Sequence, residues 1–459
     1  MRNFRMRCLY RPAAEPIVLD PYEVELAISA CLYSLAMHYD TLDDRGYANY
    51  AEDAIKDMLA GAAPNLSKVD LFWEFSGSSP CFVQALRGPS HRYQRGSLPS
   101  SSTSMGFLRH LNIVARDSAL ALKEWSTVTD FPKLEHLELH NYLEVDALLW
   151  LSSCQLSKLK ILTLNLGLGD VCESVTAALN QLSLGLSLLE AFKISGPYES
   201  STIDTVLENH GVRLRRLLLP RPSMVPDGHL SANTAGFTSV EFMHKIHRDC
   251  PQIEELGLCL LRSQGDVNEV AVYRALGTIP SLRKLHLSLY SRQAFTFSSE
   301  SCRQFHNPRG IEKVMSQEES TQLGGALIDF AVDANLARSI FHTISAAKPA
   351  ISQPLECLTL SVDGAKECGG FGASHLTDVL SYIGRSWYCT RNTRDDKLHE
   401  CFVTERDPEE KLDREWMDEH DKDPMLEGVV FAQSVRRLWP AAKTKDWKKV
   451  WHSFEIDLS

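Results

Sequence analysis

A short pattern, L-x-x-L-x-L with another apolar residue allowed at each place, recurs along most of the chain and leaves it few folds to choose from. Clean copies are Leu134-Leu137-Leu139, Leu159-Leu162-Leu164, Leu214-Leu217-Leu219, Leu282-Leu285-Leu287 and Leu355-Leu358-Leu360. Looser copies are Leu66-Val69-Leu71, Leu108-Leu111-Ile113, Leu189-Phe192-Ile194 and Ile253-Leu256-Leu258. First positions from residue 108 onward are spaced by 26 (134 − 108), 25 (159 − 134), 30 (189 − 159), 25 (214 − 189), 39 (253 − 214) and 29 (282 − 253) residues. Such regularity describes one structural unit repeated.

The last two apolar residues of each copy alternate with period two, as in a short strand with one face inward. Helical spacing follows several copies: Val145, Leu148, Leu149 and Leu151; Val175, Ala178, Leu179 and Leu182; Ile203, Val206 and Leu207. Helix breakers, Pro132, Gly211, Pro251 and Pro280, stand just before the next strand. A single strand-helix unit cannot bury both of its faces, so the units must stack into a parallel sheet with the helices outside. The expected fold class is therefore α/β, a leucine-rich-repeat solenoid with a curved parallel sheet, covering 63–390.

Other segments interrupt or flank the array. Residues 1–62 are expected to form a helical N-terminal cap: Asp20-Pro21-Tyr22-Glu23 reads as a helix start, with Val24, Ile28, Cys31, Leu32 and Leu35 on the buried side, and a second helix spans about Tyr47 to Leu59. Insertions are expected near 77–106, which includes the serine-rich run after Ser97, and over 291–322, ahead of a helix carrying Leu327, Phe330, Ile340 and Ile344. The densely charged stretch from Arg391 to Glu427 is expected to be solvated, and Trp439, Trp447, Val450, Trp451 and Phe454 to form a packed C-terminal cap.

Composition narrows function mostly by exclusion. A net charge of −11 disfavours a sequence-independent hold on nucleic acid or anionic membrane, both of which require clustered Lys and Arg. Twelve cysteines without a C-x-x-C pair read as reduced thiols of a cytoplasmic or nuclear protein. Leu26 to Met37, the longest weakly charged stretch, is too short to span a bilayer. No P-loop, G-x-S-x-G or H-E-x-x-H occurs, and Gly370-Phe371-Gly372-Ala373-Ser374-His375 lacks the third glycine of a dinucleotide turn. His244, His247 and Cys250 share a helical face but lack a fourth ligand, and Asp40, Asp43 and Asp44 read as a charged element end. No catalytic, cofactor or metal residue is assigned.

Cys250-Pro251-Gln252-Ile253-Glu254-Glu255-Leu256-Gly257-Leu258 resembles the C-P-x-L-x-x-L-x-L of the cysteine-containing leucine-rich repeats in F-box proteins, and Cys154 stands similarly ahead of Leu159-Leu162-Leu164. Irregular repeats and long insertions give 60–390 the style of filamentous-fungal F-box and leucine-rich-repeat proteins. The resemblance implies a surface that recruits substrate to a ubiquitin ligase, with an N-terminal F-box docking the Skp1 adaptor of a cullin complex. The L-P-x-E-[IL]-x-x-x-I opening of an F-box is not found near the start, so the F-box has either been lost or lies upstream of this chain.

The expected activity is non-enzymatic: the concave strand face holds a protein partner. The best contacts flank the last leucine of each triplet, because alternation points them away from the core. They are Glu138, His140, Thr163, Asn165, Leu218, Gly257, His286 and Ser288. The alternatives are an enzyme with its site in the 291–322 insertion or the 368–375 loop, and a degenerate F-box-like protein without a maintained function.

Overall fold

A computed structural model describes residues 3–7, 25, 28–40, 55–74, 105–114, 118–166, 173–196, 198–220, 239–291, 317–364, 374–392, 401–406, 429–443 and 446–458 of the chain. The chain divides into two compact units, Met1–Arg213 and Leu214–Ser459, each α/β with a mostly parallel sheet.

Among the described residues, the first unit contains seven strands: β1 (Asn3–Arg7), β2 (Ser34–Asp40), β3 (Lys68–Glu74), β4 (His110–Val114), β5 (His136–Leu143), β6 (Ile161–Leu166) and β7 (Ala191–Ser195). They pair in sequence order and every pairing is parallel. Helices α1 (Ser118–Ser126), α2 (Val145–Ser153) and α3 (Glu173–Gly185) connect β4 to β7 in turn, α4 (Ser200–His210) follows β7, and the four pack on one another in the same order.

The repeat pattern explains this register. First leucines Leu32, Leu66, Leu108, Leu134, Leu159 and Leu189 are all buried, as are the second-position residues Leu35, Val69, Leu111, Leu137, Leu162 and Phe192, which sit opposite one another from strand to strand. A one-residue slip would turn a whole strand's apolar set to the other face, so burial fixes the register. Backbone bonds just after the first leucine tie each unit to the last: Glu135 N–H to Arg109 O, Lys160 N–H to Glu135 O and Glu190 N–H to Lys160 O, each 2.8 Å.

Most of the described residues of the expected helical cap over 1–62 are strand or turn instead. Residues 34–40 form β2, Ile28 and Cys31 are exposed in a turn, and 3–7 form β1. The physical reason lies in the pattern itself: Leu32-x-x-Leu35-x-Met37 and Met1-x-x-Phe4-x-Met6 are further copies with Met and Phe in place of Leu. Helix is found over 55–62, overlapping the end of the second expected helix and running three residues past Leu59. The proposed start at Asp20 and the serine-rich loop lie outside the described residues.

In the second unit, β8 (Arg216–Leu218), β9 (Glu255–Arg262), β10 (Lys284–Ser291) and β11 (Cys357–Asp363) are parallel, followed by two antiparallel strands, β12 (Trp387–Arg391) and β13 (Cys401–Glu405). β13 therefore occupies part of the charged stretch expected to be solvated. Pairing with β12 supplies the backbone partners that its mixed composition concealed.

Helices α5 (Val240–Asp249) and α6 (Val267–Gly277) follow β8 and β9, and their starts are capped by Ser239 and Asp266, whose side chains accept from Phe242 N–H and Glu269 N–H. No strand separates β10 from β11 among the described residues. Two helices stand there instead of the single one expected, α7 (Gln317–Phe330) and α8 (Ala334–Ala346), interrupted where Asp333 caps the second. The end of the expected 291–322 insertion is thus the first turns of α7. Helices α9 (Ser374–Ile383) and α10 (Val429–Leu438) complete the unit. Leu323, Leu327, Phe330, Leu380, Ile383, Val435, Trp439 and Trp447 form one apolar cluster, so the C-terminal aromatic residues do pack. They do so from a helix, short turns and an extended end rather than from one helical stripe.

Candidate functional site

Strand residues between the buried leucines point to the opposite face. In the first unit the register sets Lys68, His110 and His136 in one row, and Asp70, Asn112, Glu138, Thr163 and Lys193 in the next. Because the rows are neighbours, side chains from three successive strands meet.

Asp70 takes two partners, with His110 Nε2 2.7 Å from Oδ1 and Lys68 Nζ 3.0 Å from Oδ2. Glu138 takes two more: His136 Nε2 lies 2.7 Å from Oε1 and His140 Nε2 3.2 Å from Oε2. The His110 and His136 rings meet edge to face with centroids 3.9 Å apart. His136 Nε2 is shielded from solvent beside Glu138 Oε1. The side chain of Asn112, 2% exposed and standing between Asp70 and Glu138 in the register, has an Oδ1 with no hydrogen-bond partner.

These contacts set the charge. The approach of His136, then of His140, holds the Glu138 carboxyl well below the usual carboxylate range against the opposing effect of burial. Burial pushes the Asp70 carboxyl up, but hydrogen bonds from His110 and Lys68 outweigh it and leave it lowered. Both are anions over a wide range. One donor atom each from His110, His136 and Glu138 falls within 4.8 Å of the others, so imidazole and carboxylate donors of the kind that hold a transition metal converge here.

The residues singled out from sequence fall into two groups. In the first unit, Glu138 and His140 belong to the cluster, Thr163 is paired with Glu138 in register but is itself buried, and Asn165 is half-buried beside Ser195. Thr163 therefore offers a partner little surface. In the second unit, Leu218, Gly257 and His286 lie side by side on β8, β9 and β10. Gly257 presents no side chain, and a Cβ there would stand 2.8 Å from Leu218 Cδ2, so its absence makes room for that leucine. His286 Nε2 lies 3.1 Å from Glu255 Oε1, whose other oxygen accepts from Arg216 Nε at 3.0 Å, while Ser288 donates to Asp363.

Sequence reasoning missed His110, Asp70 and Asn112. A signal did exist: His110-Leu111 and His136-Leu137 put histidine at the same repeat position 26 residues apart (136 − 110), with Glu138 two residues further. The helical trio considered instead does not gather. Cys250 is fully buried, and desolvation pushes its thiol up to about 12, while His244 is exposed. Helix α9 begins at Ser374, but 365–373, like 292–316, lies outside the described residues, so the two loci of the enzymatic alternative carry no geometry. Among the described residues, an open cavity of about 790 Å³ lies within the second unit, walled by Val240, Val267, Ala271 and Ala346 with His244 and His342 at its side.

No family model matches the sequence, and a search of curated proteins finds no significant match. No helix among the described residues is long and apolar enough to cross a membrane.

Proposed function

We propose that the chain is a leucine-rich-repeat solenoid of the F-box-associated kind, which acts without catalysis by holding a protein partner on its strand face and, in one form of this reading, recruits substrate to a ubiquitin ligase. The observation that carries the reading is the parallel pairing, in sequence order, of β2 to β7 and of β8 to β11, with the repeat leucines in register from strand to strand and one register shift, between Leu139 and Leu143. Because each strand keeps its leucines inward, its alternate residues form polar rows on the other side, where His140, Arg216 and His286 keep about a third to a half of their side-chain surface (35%, 49% and 40%). Rows of varied side chains on a rigid sheet suit recognition of an extended protein surface. Thr163 and Gly257 contribute shape, and Glu138, His140, Asn165, Leu218, His286 and Ser288 contribute contact.

Affinity capture of the tagged chain from native lysate tests this when the wild type is run beside two variants. One carries His140→Ala, Asn165→Ala, His286→Ala and Ser288→Ala. The other carries Leu120→Ser, Leu149→Ser and Leu184→Ser, which change exposed helix positions. A partner reduced at least tenfold by the first variant and retained by the second is expected, with Skp1 and cullin co-purifying if the ligase form holds. Equal recovery by both would remove the strand face from the proposal.

A further inference from the structure

We propose that the strand face of the first unit binds a divalent transition-metal ion of the zinc class, held by His110, His136 and Glu138.

The donor set is suited to such an ion. Two imidazoles and a carboxylate are borderline donors that zinc accepts at about 2.0 to 2.2 Å, and three protein ligands leave a position for water. Ligands at those lengths around a tetrahedral centre stand roughly 3.3 to 3.6 Å apart, and the three donor atoms here already lie within 4.8 Å of one another. Small torsional changes in three side chains bring the spacings into that range, opening the 2.7 Å approach of His136 Nε2 to Glu138 Oε1. Their backbones need not move, because His110 pairs with His136 across β4 and β5 and Glu138 follows two residues on along the same strand.

Support points the same way. His140 Nε2 lies 3.2 Å from the second oxygen of Glu138 and fixes the carboxylate. Asp70 fixes the His110 ring through Nε2 at 2.7 Å. Such a carboxylate–histidine pair is the outer half of a metal relay in which the other ring nitrogen, Nδ1, would take the ion.

The independent observation is an unsatisfied polar atom beside the cluster. Asn112 Oδ1 is buried without a partner on the residue that stands in register between Asp70 and Glu138. Buried polar atoms are nearly always satisfied, so this one indicates a missing polar neighbour. Water bound to an ion on this face is such a neighbour. The inference holds whether or not the face also recruits a protein, and its test is separate from partner capture.

The experiment uses the full chain with any affinity tag removed, stripped by chelator and dialysed. Co²⁺ is the spectroscopic probe and Zn²⁺ the competitor, followed by calorimetry. One equivalent of Co²⁺ should give the visible absorption of a four-coordinate site, discharged by one equivalent of Zn²⁺. His110→Ala and Glu138→Gln should each weaken Zn²⁺ binding at least 100-fold, and Asp70→Asn, a positioning residue, by roughly 10- to 100-fold. His244→Ala should leave binding unchanged, and saturating Zn²⁺ should raise the melting temperature of the wild type but not of Glu138→Gln. Circular dichroism checks that each variant folds; because Glu138 is partly solvent-exposed, Glu138→Gln carries the test if His110→Ala does not fold. Absence of stoichiometric binding by the wild type would overturn the proposal and leave water as the neighbour of Asn112. So would affinity that survives Glu138→Gln, since the chain's 16 histidines then bind elsewhere.

Discussion

Gly196, directly after β7, has φ +102°, and a Cβ there would stand 2.7 Å from both the Cβ and the carbonyl oxygen of Leu166. Backbone that close cannot yield as a side-chain tip can. Left-handed backbone alone costs a residue with a Cβ about 1 to 2 kcal/mol, and the contact adds to it. Gly185 is the opposite case: it ends α3, has no positive φ, and a Cβ would meet only Ser152 O at 3.7 Å. There alanine restricts the unfolded chain at no steric cost. Denaturant unfolding should therefore show Gly196→Ala destabilised by about 2 to 4 kcal/mol and Gly185→Ala unchanged or stabilised by up to about 1 kcal/mol. If the two variants behave alike, the Leu166 contact is not as described.

At the scale of elements, the segment between β10 and β11 is fastened by buried charge. Arg262 and Glu269 are 1% and 2% exposed at the side chain and meet at 3.1 Å. Glu269 also accepts from Tyr273 Oη at 2.7 Å and from the backbone N–H of Ser263 and Gly265. Asp329 of α7 accepts from Gln264 N–H at 2.8 Å and Ser291 Oγ at 3.0 Å, tying the inserted helix to the ends of β9 and β10. Removing one member strands the other, so Glu269→Ala should cost roughly 3 to 5 kcal/mol. The paired replacement Arg262→Met with Glu269→Leu should cost less, because Arg262 is not left buried without Glu269, although Asp329 then loses the pull of Arg262. A double-mutant cycle by urea unfolding reads this, and equal losses would refute the pairing.

None of this fastening was legible in the sequence, because Arg262, Glu269 and Asp329 come from three elements separated by an irregular stretch. The strands were legible wherever leucine filled the pattern, since periodicity records burial directly. They were missed where Met37 and Phe4 took its place and where β12 and β13 turned antiparallel, which changes pairing without changing alternation. Part of the candidate cluster was legible for the same reason: alternation exposed Glu138 and His140. Register, which no single strand contains, was needed to bring Asp70 and His110 to them.

Over the whole molecule, acid and neutral pH act through groups of opposite sign. Asp70, Glu138 and Asp333 all have lowered carboxyl pKa values; in Asp333 burial is outweighed by hydrogen bonds from Ser453 and the start of α8. Their stabilisation is fully present above the unfolded value of about 4 and is lost as pH falls through the lower folded values. Asp329 runs the other way, since burial raises it to about 6 against the pull of Arg262, Gln264 N–H and Ser291. Its folded form binds the proton more tightly, so this contribution is present below about pH 4 and lost as pH rises through about 6. A chain with a net charge of −11 at neutral pH also repels itself less as it takes up protons, so wild-type data alone cannot isolate Asp329. The comparison with Asp329→Asn does, because that background is shared. Between pH 7 and pH 4.5, metal-free wild type should gain about 2 kcal/mol relative to the variant in urea unfolding, the linkage value for one buried carboxyl shifted by about two units. A difference that stays constant with pH would mean that Asp329 ionises in the fold as it does in the unfolded chain.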